Sequence, residues 1–135
     1  MAINAKDVQA LRQASGAGMM DCKRALMEAN GDVEKAVAAL REAGLAAAAK
    51  KAGREAREGI VSSYIHTGGR VGVLIEVNCE TDFVAKNESF RAICDEFAKK
   101  IAANSSVDLE QDRVAAVAKV GENILISRHH RMEVS

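Results

Sequence analysis

Few side chains in this sequence could do chemistry. They are His66, the adjacent pair His129-His130, the cysteines Cys22, Cys79 and Cys94, and the segment Cys79-Glu80-Thr81-Asp82-Phe83-Val84. Neighbouring residues of a strand point to opposite faces, so His129 and His130 cannot easily grip one metal ion. No carboxylate or thiol completes a ligand set with them at a recognisable spacing, and no metal site is expected. The three cysteines are widely spaced, and each falls in a patterned apolar stretch. Buried, reduced thiols are therefore expected. No serine stands in a nucleophile elbow, and no glycine-rich loop runs into Lys-Ser or Lys-Thr. Neither an enzyme, nor a cofactor, nor direct nucleotide binding is expected. A small enzyme using His66 with Glu76 or Asp82 lacks both a pocket motif and a nucleophile.

The segment at 79–84 is harder to dismiss. It leaves a strand and enters a helix, with Thr81 placed to cap and Asp82 suited to the positive helix end. The residue pattern leaves two readings open. Phe83 packs into the core while Asp82 only serves the helix, or an exposed Asp-Phe pair forms a wedge, an apolar ring with a charge beside it.

The elements that must carry these residues can be read from periodicity. Residues 4–43 predict three short helices. Asn4 caps the first, on Val8, Leu11 and Ala14, and Gly16 and Gly18 break the pattern. Met19, Cys22, Leu26 and Ala29 mark the second, and Asn30-Gly31 stops it. Asp32 caps a third on Val33, Ala36, Val37 and Leu40, closed by Gly44. Residues 45–58, LAAAAKKAGREARE, predict an exposed linking helix. Its Lys50, Lys51, Arg54 and Arg57 suit a phosphate on one reading and a solvated face on the other, since Glu55 and Glu58 interleave.

The period then changes to two. Ile60–Thr67 and Arg70–Val77 flank Gly68-Gly69, a hairpin signal that pairs Tyr64 with Val73, Ser62 with Ile75 and Ile60 with Val77. One face is apolar, and the other still carries Val61, Ile65 and Leu74. A long helical segment to about Asn104 bears Phe90, Ile93, Cys94, Phe97 and Ile101. A shorter one from Asp108 bears Leu109, Val114 and Val117 and stops at Gly121, and a last strand spans Asn123–Val134. That strand adds either Leu125 or the pair Ile124/Ile126 to the second face. The expected fold is α+β: a three-helix bundle at 1–44, a linking helix at 45–58, and a β-β-α-α-β module with a three-stranded antiparallel sheet at 59–135.

Composition narrows the partner classes. Lys plus Arg equals Asp plus Glu at 19 each, which offers no field for nucleic acid. Aromatics at 3% with no Trp leave no base-stacking platform. No run approaches about 18 apolar residues, and the start MAINAKDVQAL has no basic-then-apolar signal. A cytoplasmic chain with no membrane partner is expected, or an organellar matrix or stromal one if a targeting segment has been removed.

LRQASGAGMMDCKRAL at 11–26, then Asn30-Gly31-Asp32 with Ala36 and Leu40-Arg41, resembles the N-terminal signature of the elongation factor Ts family. SYIHTGGRVGVLIEVNCETDFVAKN at 63–87 resembles that family's second signature, and KVGENILISRHHRMEV resembles the end of one core module. The chain has a short connection between Ile101 and Lys119, where many relatives carry an insertion, and a single core module. The pattern suits a compact member or a chain cut after the first module.

The resemblance implies a bundle of the ubiquitin-associated type that docks on elongation factor Tu through Arg12, Met19 and Met20. It implies that Thr81, Asp82, Phe83 and Val84 form the element that drives GDP from that partner, the ring entering between helices and Asp82 disturbing the magnesium and phosphate region. It also implies a homodimer through the core sheet. The alternative is a ubiquitin-associated-like scaffold in translation with no exchange activity.

Overall fold

A computed structural model describes residues 3–15 and 17–135; the break expected at Gly16 and the first two residues lie outside them. Three helices come first: α1 (Ala5–Ser15), α2 (Met19–Glu28) and α3 (Val33–Lys51). Asn4 Oδ1 accepts from Lys6 N–H at 2.8 Å, and Asp32 Oδ1 accepts from Lys35 N–H at 3.2 Å, so both expected caps are made. Asn30 and Gly31 take positive φ of 54° and 84°, which ends α2 and turns the chain. Val8, Leu11, Cys22, Ala25, Leu26 and Ala36 form the bundle core. Ala14 is exposed. At six residues from Val8 it has drifted off the inward face, and Ser15, at seven, is half-buried in its place.

The linking helix takes an unexpected form: it is the second half of α3. Gly44 does not stop the helix; it is buried against α6, where a Cβ would lie 3.7 Å from Val114 Cγ1 and 3.9 Å from Ala118 Cβ. Ala36 thus belongs to the bundle core while Ala48, on the same helix, belongs to the second core. Residues 52–57 are not helical, and β1 begins at Glu58.

The sheet has the order β1 (Glu58–Ile65), β2 (Val71–Cys79), β3 (Leu125–Glu133), antiparallel throughout. Tyr64 faces Val73, Ser62 faces Ile75 and Ile60 faces Val77, the register the alternation demands. The turn closes differently from the two-residue loop expected: His66 N–H donates to Val71 O at 2.9 Å, and Gly69 N–H to His66 O at 2.9 Å. Gly68 and Gly69, at φ of 95° and 73°, make this reverse turn feasible. Ser62 is polar on the core face because its hydroxyl reaches Asp95 Oδ1 at 2.5 Å.

The expected long helix is two helices, α4 (Asp82–Ala85) and α5 (Glu88–Ala103), divided where Asn87 Oδ1 caps α5 through Ser89 N–H at 2.8 Å. Phe90, Cys94, Phe97 and Ile101 line one side of α5 and cover β1 and β2, while α6 (Glu110–Val120) packs against α3 and α5. Each fully buried large side chain contributes about 1.5–3 kcal/mol. Gly121, at φ 83°, ends α6 as expected. Arg131 on β3 reaches the end of α5, where Nε donates to Ile101 O at 3.1 Å and Nη2 to Ala102 O at 3.0 Å.

A bulge in β3 decides what the second sheet face carries. Glu76 faces Arg128 but Val77 faces Ile126, so Ser127 is an extra residue. The step turns Ile126 inward and leaves Leu125 outward, on the same face as Val61, Ile65, Leu74 and Met132. His129 faces Ile75 and His130 faces Leu74 across the ladder, on opposite sides of the sheet.

Candidate functional site

The strand β2 ends at Cys79, and the chain turns at once into α4. Thr81 supplies the turn's cap: its Oγ1 accepts from Val84 N–H at 3.3 Å. The buried Cys79 thiol donates to Thr81 O at 3.3 Å. Ala85 is buried and Val84 packs against the core, so the far side of α4 is anchored. Asp82 and Phe83 fall on the near side. Phe83 is 83% exposed, which overturns its reading as a core residue. A ring held out in water costs folding free energy that burial would have gained. Asp82 pairs with Lys86 at 3.6 Å, but both side chains are solvated and the pair is weak.

The approach to this turn is polar and built from distant segments. Glu122 accepts from Glu80 N–H and Thr81 N–H, both at 3.1 Å, and from the Thr81 hydroxyl at 2.7 Å. Glu80 Oε2 in turn accepts from Asn123 N–H at 2.6 Å and lies 3.7 Å from Arg54. The Asn123 side-chain amide donates to Arg54 O at 2.9 Å and Ala52 O at 3.5 Å. Periodicity could not have found Glu122 or Asn123, which stand about forty residues beyond the turn.

Burial raises the Cys79 thiol to about 11, helped by the nearby Glu122 carboxylate, and raises Cys94 to about 12. All three cysteines are buried and unpaired with one another. The raised Cys79 and Cys94 thiols are protonated at neutral pH and poor nucleophiles. Tyr64 Oη lies 3.0 Å from His66 Nδ1. Among the described residues no group of three or more His, Cys, Asp or Glu is gathered as a metal would need. No helix among them is long and apolar enough to cross a membrane.

Arg12, Met19 and Met20 sit elsewhere, on the bundle. Arg12 is exposed in the last turn of α1, and Met19 and Met20 open α2 with exposures of 54% and 67%. Both methionines are outside the bundle core, one more than their adjacency required. Met27, seven residues beyond Met20 on α2, shares its face and is also exposed, a feature the sequence reading did not single out. The structure therefore presents two separate groups, methionines and an arginine on the bundle and the Thr-Asp-Phe-Val turn on the sheet module, joined by α3.

A family model described as Elongation factor TS matches residues 80–135, from the turn to the end of the chain. Elongation factor Ts of Desulforamulus reducens is 60% identical over 114 residues, which is 84% of this chain and 52% of that protein. Elongation factor Ts of Thermosynechococcus vestitus is 62% identical over 106 residues, 78% of this chain and 36% of that protein. Elongation factor Ts of Thermoanaerobacter sp. strain X514 is 58% identical over 124 residues, 91% of this chain and 61% of that protein. The chain thus spans between 36% and 61% of these relatives' lengths. Identity at this level, running through both the bundle and the sheet module, places the chain in the elongation factor Ts family.

Proposed function

We propose that the chain is a guanine nucleotide exchange factor that docks on elongation factor Tu and promotes GDP release. The observation that carries this reading is Phe83, 83% exposed on a turn that is itself capped and anchored. The bundle supplies affinity: exposed Met19 and Met20 adapt to a groove, and Arg12 adds a charge-assisted bond. Phe83 enters between helices of the partner while Asp82 disturbs its magnesium and phosphate region. GDP is held there by oriented amides, a lysine and magnesium, so displacing part of the cradle weakens binding. No covalent bond is made or broken, and the chain itself holds no nucleotide. Linkage makes the effect mutual: GDP weakens this chain's binding by the same factor. The test is release of fluorescent GDP from elongation factor Tu. At least a tenfold acceleration is expected, and an unchanged rate at saturating factor would remove the reading.

The second sheet face supports a proposal about assembly. Val61, Ile65 and Leu74 are 67%, 65% and 52% exposed, and Met132 is 78% exposed beside them. A sheet covered by helices on one face, and exposing these apolar side chains among Glu76, Arg128 and His130 on the other, is suited to a second sheet. Two copies meeting about a two-fold axis would cover both faces with one self-complementary patch. In sedimentation equilibrium at tens of micromolar the wild type is expected to be dimeric and Leu74→Lys monomeric. A wild-type monomer excludes the dimer.

A further inference from the structure

Phe83 touches little of its own chain, so packing of the ring does not fix where it points. Its direction is set by the backbone of the turn beneath it. Two local contacts hold that turn from inside, the Thr81 cap on Val84 and the Cys79 thiol on Thr81 O. Val84 and Ala85 anchor its far side in the core, and Glu122 adds a restraint from a distant segment. One of its oxygens takes the Glu80 and Thr81 amides and the other takes the Thr81 hydroxyl. Thr81 Oγ1 consequently donates to Glu122 while accepting from Val84 N–H, which leaves the hydroxyl one orientation.

Three donors converge on the Glu122 side chain, and only an acceptor without donors of its own suits all three. A glutamine would keep one such oxygen and set an amino group against the Thr81 hydroxyl. Glu80 completes the arrangement from the other side, since its carboxylate holds Asn123 N–H beside Glu122. The two carboxylates therefore tie the exit of β2 to the entry of β3. Asn123, through the carbonyls of Ala52 and Arg54, ties both to the chain leaving α3. The clamp stands outside the core formed by Phe90, Phe97 and Ile75 and fixes the base of an exposed ring.

We propose that Glu122 is a positioning residue for nucleotide exchange, its carboxylate holding the Glu80–Thr81 backbone and the Thr81 hydroxyl so that Phe83 is presented ready-aimed. The proposal rests on the exchange reading above. A ring misplaced by about 1 Å can cost up to about a hundredfold in a step that depends on its placement. Docking through Arg12, Met19 and Met20 should be untouched by the same change.

The test follows fluorescent GDP release from the partner GTPase over a range of factor concentration, using the full chain and its Glu122→Gln and Glu122→Ala variants. The maximal release rate is expected to fall about tenfold in Glu122→Ala and about threefold in Glu122→Gln, which retains one acceptor. The half-saturating concentration should stay at the wild-type value, and the thermal midpoint should fall by no more than a few degrees, roughly what loss of the Glu122 hydrogen bonds allows. Faster amide hydrogen exchange at Glu80 and Thr81, with Val77 and Ile101 unchanged, should accompany the loss. An unaltered maximal rate overturns the positioning role while leaving the exchange reading intact. A loss that appears only as weaker half-saturation or a lower thermal midpoint overturns it too, since that marks docking or structure. If Glu122→Ala fails to fold, Glu122→Gln decides alone. A wild-type chain that does not accelerate release overturns the exchange reading, and the positioning role with it.

Discussion

Phe83 and Phe90 stand seven residues apart on either side of the Asn87 cap; the first is 83% exposed and the second wholly buried. Truncating them should therefore have opposite signatures. Phe90→Ala removes a core ring and is expected to cost about 3–5 kcal/mol in a urea titration. Phe83→Ala is expected to change stability by less than about 0.5 kcal/mol and to lower the rate of GDP release at least tenfold. A large stability loss at Phe83 would mean that the ring is buried in solution.

The bundle and the turn should be separable by kinetics. Replacing Met19 and Met20 together by alanine removes exposed apolar surface without opening the bundle core. The half-saturating concentration in the release assay is expected to rise about tenfold or more, with the maximal rate preserved. A fall in maximal rate at unchanged half-saturation would assign the methionines to the release step.

Gly59 is fixed by the sheet. Its φ is 153°, and a Cβ there would lie 2.2 Å from the backbone oxygen of Val77. Backbone on the neighbouring strand cannot step aside as a side-chain tip can. Gly59→Ala is expected to cost about 2–3 kcal/mol or more, read as a lower denaturation midpoint. Gly44→Ala, whose nearest neighbours would be at ordinary contact distance, should cost little or add stability.

Alkaline conditions should weaken the sheet module in a defined window. Folding raises Cys79 from its ordinary value near 9 to about 11 and Cys94 to about 12, so the native state holds these protons more tightly than the unfolded chain. The resulting stabilisation is complete below about pH 9 and is lost as pH climbs through 11 and 12. Urea midpoints are expected to fall between pH 9 and 11, and to fall less in Cys94→Ala. Equal slopes in the two proteins would show that other groups govern the decline.

The hairpin register was legible because a slip of one residue would have sent Val73, Ile75 and Val77 to water. The caps at Asn4, Asp32 and Thr81 were legible because capping is local chemistry. The course of the chain near Phe83 was hidden for a related reason. On a helix continuous from Thr81 to Asn104, residues seven apart share a face, so Phe90 in the core argues for Phe83 in the core. The break at Lys86–Asn87 removes that phase relation, and Asn87 within an otherwise helical run gave little notice of it. Gly44 misled in the other direction: it reads as a stop, whereas α3 runs through it and packs it against α6 with room for a Cβ at ordinary contact distance. The contacts of Glu122 with Thr81 lie forty-one positions apart and follow no period, so only the folded chain reveals them.

Because α3 runs unbroken from the bundle core at Ala36 to the second core at Ala48, it keeps the angular phase between the two ends of the molecule. Each residue of helix contributes about 100° of rotation and about 1.5 Å of rise. A single residue inserted between Ala36 and Gly44 would swing Met19 and Met20 about the helix axis by roughly that angle relative to Phe83. Four inserted residues would bring the angle back to within about 40° and leave the two ends about 6 Å further apart. The length of this helix between the two cores thus acts as a key cut to one shape of lock: tolerant of substitution on its outer face, intolerant of any change in the count of residues.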